Sequence, residues 1–354
     1  MKGFDVVIIG AGVTGLTTAL TLQNSGAKVQ ILEKNPYSNE ASWAGGGILC
    51  PLYAWRYPDD VLKLAALGMQ QYPAFLSALD SDIDAEYYRC GMEIHDPTDA
   101  SFPHLDAIQT RLANYGISQQ RQNGHLALPK VANVRNPRLL KALTQAAQRA
   151  GVQIQYEHEV LTLHTEKNQI NALSIRHNNA VTKLKADHCV VCSGAWSGKL
   201  IPGLADNVVF PVRGQMLRIR PKTPLEHIVM NQGVYAIPRL DGSVIIGSTV
   251  EYAGFDKQID PQKQAQLQQI AAETSPELAR AEVTHRWTGL RPGSRDEHPI
   301  IGPHPEINGL WINTGGFRNG LVMAPAASAL LSALMQGQPT PLDPTPYLPQ
   351  RLWA

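Results

Sequence analysis

The chain has 354 residues, of which 44% are hydrophobic and 17% are charged. This length can bury a large core and predicts two domains. Because 31 basic and 30 acidic residues leave a net charge of only +1, the composition sets up no field that would attract nucleic acid or anionic lipid. We therefore expect a globular protein with neither a nucleic-acid nor a membrane partner.

No targeting or membrane segment is predicted. The apolar run at residues 6–9 leads directly into a glycine motif, which leaves no room for a signal peptide. The apolar stretch at residues 321–335 contains Pro325 and two serines, so it predicts a buried helix rather than a membrane span. Cys189 and Cys192 fall in a predicted strand, where residues three apart point to opposite faces and cannot easily share a metal ion. We expect a reduced, cytoplasmic protein without a metal site.

The most informative motif is GAGVTG at residues 10–15, which follows a short apolar strand. A helix over residues 13–24 and a second strand over 28–32 come next, and that strand ends in the carboxylate of Glu33. Strand, glycine turn, helix, strand and acid are typical of a βαβ dinucleotide-binding unit. In such a unit the pyrophosphate lies on the helix N-terminus, and the acid accepts hydrogen bonds from a ribose.

A long loop follows the βαβ unit at residues 35–57 and contains the sequence SWAGGGIL at 42–49. Long loops inside compact domains are usually functional. Helical spacing then covers residues 60–79, whereas residues 86–135 fit no single pattern. An N-cap residue and a proline open a further helix over 139–150.

Strand patterns dominate the second half of the chain. We predict a strand at 152–156, a β-meander over 160–185, a buried strand at 187–193, strands within 207–252 with a hairpin at 241–242, a helix at 261–274, a strand at 283–290, and a strand at 309–313 that leads through TGGFRNG at 314–320 into the last helix.

The motif at residues 10–15 is shared by nicotinamide and flavin enzymes. A reductase that takes electrons from NAD(P)H needs a second glycine fingerprint, and the glycines at 315–316 lack its spacing. A flavin would therefore be reduced by the bound substrate. The glycine triplet at 45–47 would let the backbone approach a flat ring, and the turn at 316–320 would direct helix amides at the ring's pyrimidine end. Both segments are also compatible with ordinary tight turns.

Parallel βαβ pieces at the two ends of the chain enclose an antiparallel middle. We predict an α/β fold (α+β overall), with a Rossmann-like FAD-binding domain built from residues 1–85, 136–206 and 296–354. An antiparallel, β-rich substrate-binding domain, residues 86–135 and 207–295, is predicted to be inserted into it.

Five motifs occur in the order found in the D-amino-acid oxidase superfamily. They are the unit at 10–33, SWAGGG at 42–47, SGAWS at 193–197, GLRPG at 289–293 and GFRNG at 316–320. The chain resembles this superfamily over nearly its whole length, and within it the glycine oxidases of thiamine biosynthesis. The resemblance implies oxidative deamination of glycine to glyoxylate, ammonia and H2O2, with sarcosine and small D-amino acids as further substrates.

The resemblance also implies how the substrate is bound. Arg291 takes the place of the arginine that holds the substrate carboxylate through two parallel hydrogen bonds, a geometry that lysine cannot copy. Tyr235 matches the tyrosine whose hydroxyl meets the same carboxylate, and Arg318 matches a residue beside both flavin and substrate. Val250 stands where some glycine oxidases have methionine, which leaves the preferred substrate size open.

The cofactor implied is FAD, bound noncovalently, since no cysteine lies near residues 295–298, where sarcosine oxidases attach flavin. Glu33 and Lys34 match ribose and adenosine contacts, and the backbone of Val160 matches an adenine contact. The full set of expected cofactor-binding residues is Gly10, Gly12, Val13, Thr14, Gly15, Glu33, Lys34, Ala41, Ser42, Gly46, Gly47, Ile48, Val160, Gly194, Gly316, Phe317, Arg318, Asn319, Gly320 and Leu321.

Other functions stay open at this point. A dehydrogenase of the same superfamily would pass electrons to a quinone, and a related flavin domain belongs to a tRNA-modifying enzyme. A flavin-binding scaffold without turnover is a third alternative. The expected partners are a small amino acid and O2, and a homo-oligomer is compatible with the sequence.

Overall fold

A computed structural model describes residues 5–95 and 104–353 of the chain. Within these residues the strands, numbered in chain order, are β1 (Asp5–Ile9), β2 (Lys28–Leu32), β3 (Ile48–Leu49), β4 (Met92–Ile94), β5 (Gln120–Gln122), β6 (His125–Leu128), β7 (Ala132–Asn133), β8 (Gln153–Gln155), β9 (Glu159–Glu166), β10 (Gln169–His177), β11 (Ala180–Lys185), β12 (His188–Val191), β13 (Val209–Arg220), β14 (Ile228–Asn231), β15 (Val234–Pro238), β16 (Val244–Gly247), β17 (Glu282–Ser294), β18 (Ile300–Pro303) and β19 (Leu310–Thr314).

The α-helices of the same residues are numbered in chain order as well. They are α1 (Val13–Asn24), α2 (Ala41–Ala44), α3 (Asp59–Ser77), α4 (Leu105–Ala113), α5 (Asn136–Arg149), α6 (Ser197–Leu200), α7 (Pro261–Thr274), α8 (Pro276–Ala279) and α9 (Gly320–Gln336). None of the helices in the described part of the chain combines the length and the apolar character that a membrane crossing requires.

A six-stranded sheet carries the N-terminal motif. Its order is β18-β19-β12-β1-β2-β8, and all neighbours are parallel except β18 and β19. The apolar strand β1 lies in the middle, where Ile8 pairs with Ile31 on one side and Val190 on the other. The carboxyl ends of parallel strands meet at one edge of a sheet, so the turns that follow β1, β12 and β19 lie side by side.

The second large sheet has eight strands and is mainly antiparallel. Its order is β17-β13-β16-β15-β14-β4-β6-β5. The two long strands β13 and β17 pair along almost their whole length, with Gly214 opposite Gly289. Helix α7 covers one face, where Leu267 and Ala271 are buried against residues such as Ile246.

Two smaller sheets complete the described fold. The strands β9, β10 and β11 form the meander, whose residue Leu173 is buried in one core with Cys189 of β12. The strands β3 and β7 pair through Ile48 and Asn133. This short pairing ties the segment after β2 to the segment before α5.

The α/β fold class is confirmed, and so are most of the predicted elements. The helices α1 and α7 and the strand β2 have the predicted bounds. Helix α5 begins three residues earlier than predicted, because the proline is accommodated inside its first turn. The predicted loop at 35–57 is not structureless, since it contains α2 and β3.

The domain division stays a prediction. All strands of the eight-stranded sheet lie in residues 86–135 and 207–295, and all strands of the six-stranded sheet lie outside those ranges.

Candidate functional site

A cavity of about 380 Å³ lies between the carboxyl edge of the six-stranded sheet and the eight-stranded sheet. One end is lined by the glycine turn after β1, and the other by Gly214, Tyr235 and Arg291 of the eight-stranded sheet. A cavity of this size between two structural layers is a common place for a cofactor.

The glycine turn presses helix α1 against the sheet. A Cβ on Gly15 would lie 1.9 Å from the carbonyl oxygen of Gly10, so only glycine permits this contact. Gly12 is the N-cap of α1 and gives no side-chain cap. The first-turn amide of Val13 donates instead to Ser42 Oγ, at 3.0 Å. Helix N-terminal amides and a serine hydroxyl that face a cavity suit a diphosphate.

Glu33 organises the same turn. It is 7% exposed, and its two carboxylate oxygens accept hydrogen bonds from Ala11 N at 2.8 Å and Asn35 N at 3.0 Å. Burial raises the pKa of Glu33, whereas these two backbone donors lower it. Each carboxylate oxygen has a second lone pair, so Glu33 can still accept a ribose hydroxyl.

Charged and aromatic side chains surround the adenosine end proposed from the motif. The ammonium of Lys34 lies 3.1 Å from the ring centroid of Trp196, and Glu40 is 3.9 Å from the same ammonium. Burial lowers the pKa of Lys34. Val160 of β9 lines the cavity beside them.

The glycine triplet brings the backbone close to the eight-stranded sheet. A Cβ on Gly46 would lie 2.5 Å from Ile237 Cδ1, and one on Gly47 would lie 2.0 Å from the carbonyl oxygen of Val134. Arg239 Nη2 donates to the carbonyl oxygen of Gly46 at 2.8 Å. These contacts give a cradle of bare backbone, which fits the flat ring of a flavin.

Asn136 also lines the cavity and was not among the predicted site residues. It is 2% exposed, its Nδ2 donates to the carbonyl oxygen of Ser42 at 2.6 Å, and its Oδ1 has no partner in the described structure. The sequence identified Asn136 only as the start of a helix.

Arg291 and Tyr235 meet at the far end of the cavity. Arg291 Nη1 donates to the carbonyl oxygen of Thr249 at 3.2 Å, and Nη2 donates to Ser248 Oγ at 2.5 Å. Tyr235 Oη lies 3.0 Å from the same Ser248 Oγ. Within residues 5–95 and 104–353, Arg291 forms no ion pair with a carboxylate, so its charge is available to an anionic ligand.

Arg318 lies on aromatic rings rather than on an acid. Its guanidinium carbon is 4.4 Å from the centroid of Tyr53 and 5.1 Å from that of Phe317. Burial raises the pKa of nearby Tyr57 to about 12, so this tyrosine is neutral near pH 7. The cavity therefore carries a second guanidinium, bordered by neutral tyrosines.

All the predicted site residues line this cavity except Gly15 and Asn319. Gly15 supports the turn from behind, as described above. Asn319 is 1% exposed, and its Oδ1 accepts a hydrogen bond from Leu52 N at 2.9 Å. Val250 is 37% exposed and does not line the cavity.

The fold and this cavity define a class of flavin-dependent enzyme, and comparison with known proteins agrees. Residues 5–334 match the family described as FAD dependent oxidoreductase, DAO. The chain belongs to this family, and its cofactor is FAD. The family resemblance and the cofactor that the sequence predicted are thus confirmed.

Within this family, the chain is similar to glycine oxidases and to a ThiO/ThiG protein. The chain is 38% identical to the glycine oxidase of Pseudomonas aeruginosa, over 97% of this chain and 98% of that protein. It is 30% identical to the bifunctional protein ThiO/ThiG of Trichormus variabilis, over 93% of this chain and 52% of that longer protein. The structure matches that of glycine oxidase from Geobacillus kaustophilus with a TM-score of 0.89 and 26% identity, over 98% of each chain.

Proposed function

We propose that this protein is a glycine oxidase. It converts glycine, O2 and water into glyoxylate, ammonia and H2O2. The observation that carries the proposal is the arginine–tyrosine pair, Arg291 and Tyr235, at one end of the FAD cavity. The similarity to a glycine oxidase and to a ThiO/ThiG protein supports this substrate and a role in thiamine biosynthesis.

Arg291 is proposed to bind the substrate carboxylate. A guanidinium has five N–H donors, and two of those on Arg291 are already used by Thr249 and Ser248. The remaining donors suffice for a two-point contact with a carboxylate, and Tyr235 can add a third. Such binding fixes the orientation of the substrate Cα–H bond, which can lower a barrier by several kcal/mol.

The redox chemistry would be supplied by bound FAD, as the acceptor of two electrons from the substrate and their donor to O2. The chain itself supplies little acid–base chemistry at that point. The acids that line the cavity, Glu33, Glu40 and Glu159, are grouped with Lys34 and Val160 at the adenosine end. The described residues place no carboxylate beside Arg291 that would stabilise a protonated substrate amine. We therefore infer that the amine reacts as its free base.

The cofactor assignments are part of the same proposal. The turn at residues 10–15 and Ser42 hold the diphosphate, Glu33 and Lys34 the adenosine, and the segments 45–47 and 316–321 the ring. FAD is held noncovalently in this proposal. Cys192, the cysteine that lines the cavity, lies beside Gly10 and Gly15 at the diphosphate end, and therefore away from the flavin ring.

The cellular location and the oligomeric state are also part of the proposal. All four cysteines are free thiols in the structure, which supports a reducing, cytoplasmic location. A homo-oligomer would be tested by the mass of the purified protein in solution.

The role of Arg291 is tested by Arg291→Ala and Arg291→Lys in the FAD-loaded enzyme. We expect Arg291→Ala to raise KM for glycine about 100-fold or more, because a charge-assisted, two-point contact is lost. Arg291→Lys should restore only part of the affinity, since lysine cannot form the planar pair. FAD content should not change in either variant.

Mixing the wild-type enzyme anaerobically with glycine, sarcosine and D-alanine tests the reaction itself. Glycine should bleach the flavin absorbance, and H2O2 should appear when air is admitted. Bleaching by none of the three would contradict an amino-acid oxidase. Bleaching without H2O2 would favour a dehydrogenase.

A further inference from the structure

Ser248 lies between the two side chains that are proposed to bind the substrate carboxylate. Its Oγ is 2.5 Å from Arg291 Nη2 and 3.0 Å from Tyr235 Oη. The residue is 8% exposed and does not line the cavity. Ser248 therefore touches both binding groups from behind and would not touch the substrate.

The direction of these two hydrogen bonds follows from the chemistry of the donors. A guanidinium only donates, so Ser248 Oγ accepts from Arg291. The hydroxyl proton of Ser248 has one acceptor among its partners in the described structure, the phenol oxygen of Tyr235. The opposite direction would leave this buried O–H without an acceptor, which is unfavourable.

A consequence follows for Tyr235. If Ser248 donates to Oη, the phenol proton of Tyr235 is not used by Ser248 and can be donated into the cavity. The three groups then form a directed chain, from Arg291 to Ser248 to Tyr235, in which each bond polarises the next. The chain ends where a substrate carboxylate would lie.

We propose that Ser248 is a positioning residue for carboxylate binding: it holds Arg291 in place and directs the hydroxyl proton of Tyr235 toward the substrate. The inference rests on the proposed function, because it assumes that Arg291 and Tyr235 bind a carboxylate. It adds a residue that neither the motifs nor the resemblance indicated.

The first test compares Ser248→Ala with the wild type in the FAD-loaded enzyme. The probe is acetate, a carboxylate without an amine, and its Kd is measured from the change in flavin absorbance. We expect the Kd of acetate and the KM of glycine to rise about tenfold, the loss expected for a hydrogen-bonded charged group. The kcat at saturating glycine should stay within about twofold, since the lost contacts position the ligand and do not take part in the reaction.

The second test is a double-mutant cycle with Tyr235→Phe. Because Ser248 acts partly through the phenol, Ser248→Ala should weaken acetate binding much less in the Tyr235→Phe background than in the wild type. Ser243→Ala is the matched control. Ser243 is a buried serine of the same β15–β16 hairpin whose Oγ donates to Asp241 Oδ1 at 2.6 Å, and its loss should leave acetate binding unchanged.

Two results would overturn the inference. One is an unchanged Kd for acetate in Ser248→Ala with normal FAD content. The other is a Kd for acetate in the double variant that has risen by the product of the two single-variant factors, since Ser248 would then act independently of Tyr235. If the wild type neither binds acetate nor is reduced by glycine, the proposed function fails and this inference with it. If the wild type binds acetate and is reduced by glycine while Arg291→Ala loses this binding, the proposed function is supported. The results for Ser248→Ala then decide the role of Ser248 alone.

Discussion

At the scale of single residues, the reach of Arg291 into the cavity depends on a glycine of the neighbouring strand. A Cβ on Gly214 would lie 2.1 Å from Arg291 Nη1 and 2.4 Å from its Cζ. The guanidinium therefore occupies the space that a side chain on β13 would take. Gly214 is opposite Gly289 in the pairing of β13 with β17, and a Cβ on Gly289 would lie 2.5 Å from Ala44 Cβ, so a neighbouring side chain fills the space beside each of these two glycines.

Gly214→Ala should impair substrate binding without removing the cofactor. The added methyl group must displace the guanidinium, because the flexible end of Arg291 gives way more easily than the paired strands. We expect KM for glycine to rise at least about tenfold, the equivalent of roughly 1.4 kcal/mol. Steady-state kinetics measure this, with flavin absorbance and unfolding temperature as controls. An unchanged KM in a flavin-loaded variant would contradict the assignment.

The sequence predicts Arg291 and Tyr235 but not the residues that hold them. Arg291 lies in GLRPG, a local motif. Ser248 and Gly214 are brought beside it by the pairing of β16 and β17 with β13, and Ser248 is 43 residues away in the chain. Pairing register is set by the packing of the whole sheet, so no local pattern marks these two positions.

At the scale of elements, α9 is held at close range by α3. A Cβ on Gly68 of α3 would lie 2.0 Å from the carbonyl oxygen of Val322, in the first turn of α9. The buried hydroxyl of Tyr72, one turn further along α3, donates to the carbonyl oxygen of Leu321 at 2.8 Å. Helix α3 therefore positions the N-terminus of α9, which faces the cavity.

Gly68→Ala should destabilise the protein even though alanine is the better helix former by about 1 kcal/mol. Overpacking typically costs about 1–3 kcal/mol and occasionally more; because the added Cβ would lie 2.0 Å from a backbone carbonyl oxygen, we expect a cost at the upper end of this range and a net loss of about 2 kcal/mol. Urea unfolding of the FAD-loaded enzyme measures the loss. Gln70→Ala, at an exposed position of the same helix, should change stability by no more than about 0.5 kcal/mol. Equal stability of Gly68→Ala and Gln70→Ala would show that α3 and α9 can move apart freely.

Elements with strong local signals are predicted well, and those made by distant pairing are not. The glycine turn that precedes α1 and the Asp260 cap and following proline of α7 mark where these two helices begin. Strand β3 inside the predicted loop forms only because Ile48 pairs with Asn133. The same holds for β17, which extends beyond the predicted strand because β13 accompanies it through Ser294.

At the scale of the whole molecule, bound FAD should contribute a large part of the free energy of unfolding. A ligand that binds only the folded state stabilises it by about 4 kcal/mol when present at roughly 1,000 times its Kd. The unfolding temperature of protein stripped of FAD should rise steadily as FAD is added back. FMN lacks the adenosine half, so it cannot use Glu33, Lys34 or Val160 and should stabilise far less. Equal stabilisation by FMN would contradict the assignment of these residues.

The cavity is lined by residues that lie far apart in the chain, from Ile9 to Leu321. During synthesis on the ribosome, the glycine turn after β1 emerges long before the turn at residues 314–320 that leads into α9. Until the second turn has emerged, a nascent chain exposes half of a flavin site with nothing to close it. The flavin can be enclosed only after residues 314–320 have been made, so a bound yellow cofactor marks a chain that was translated at least that far.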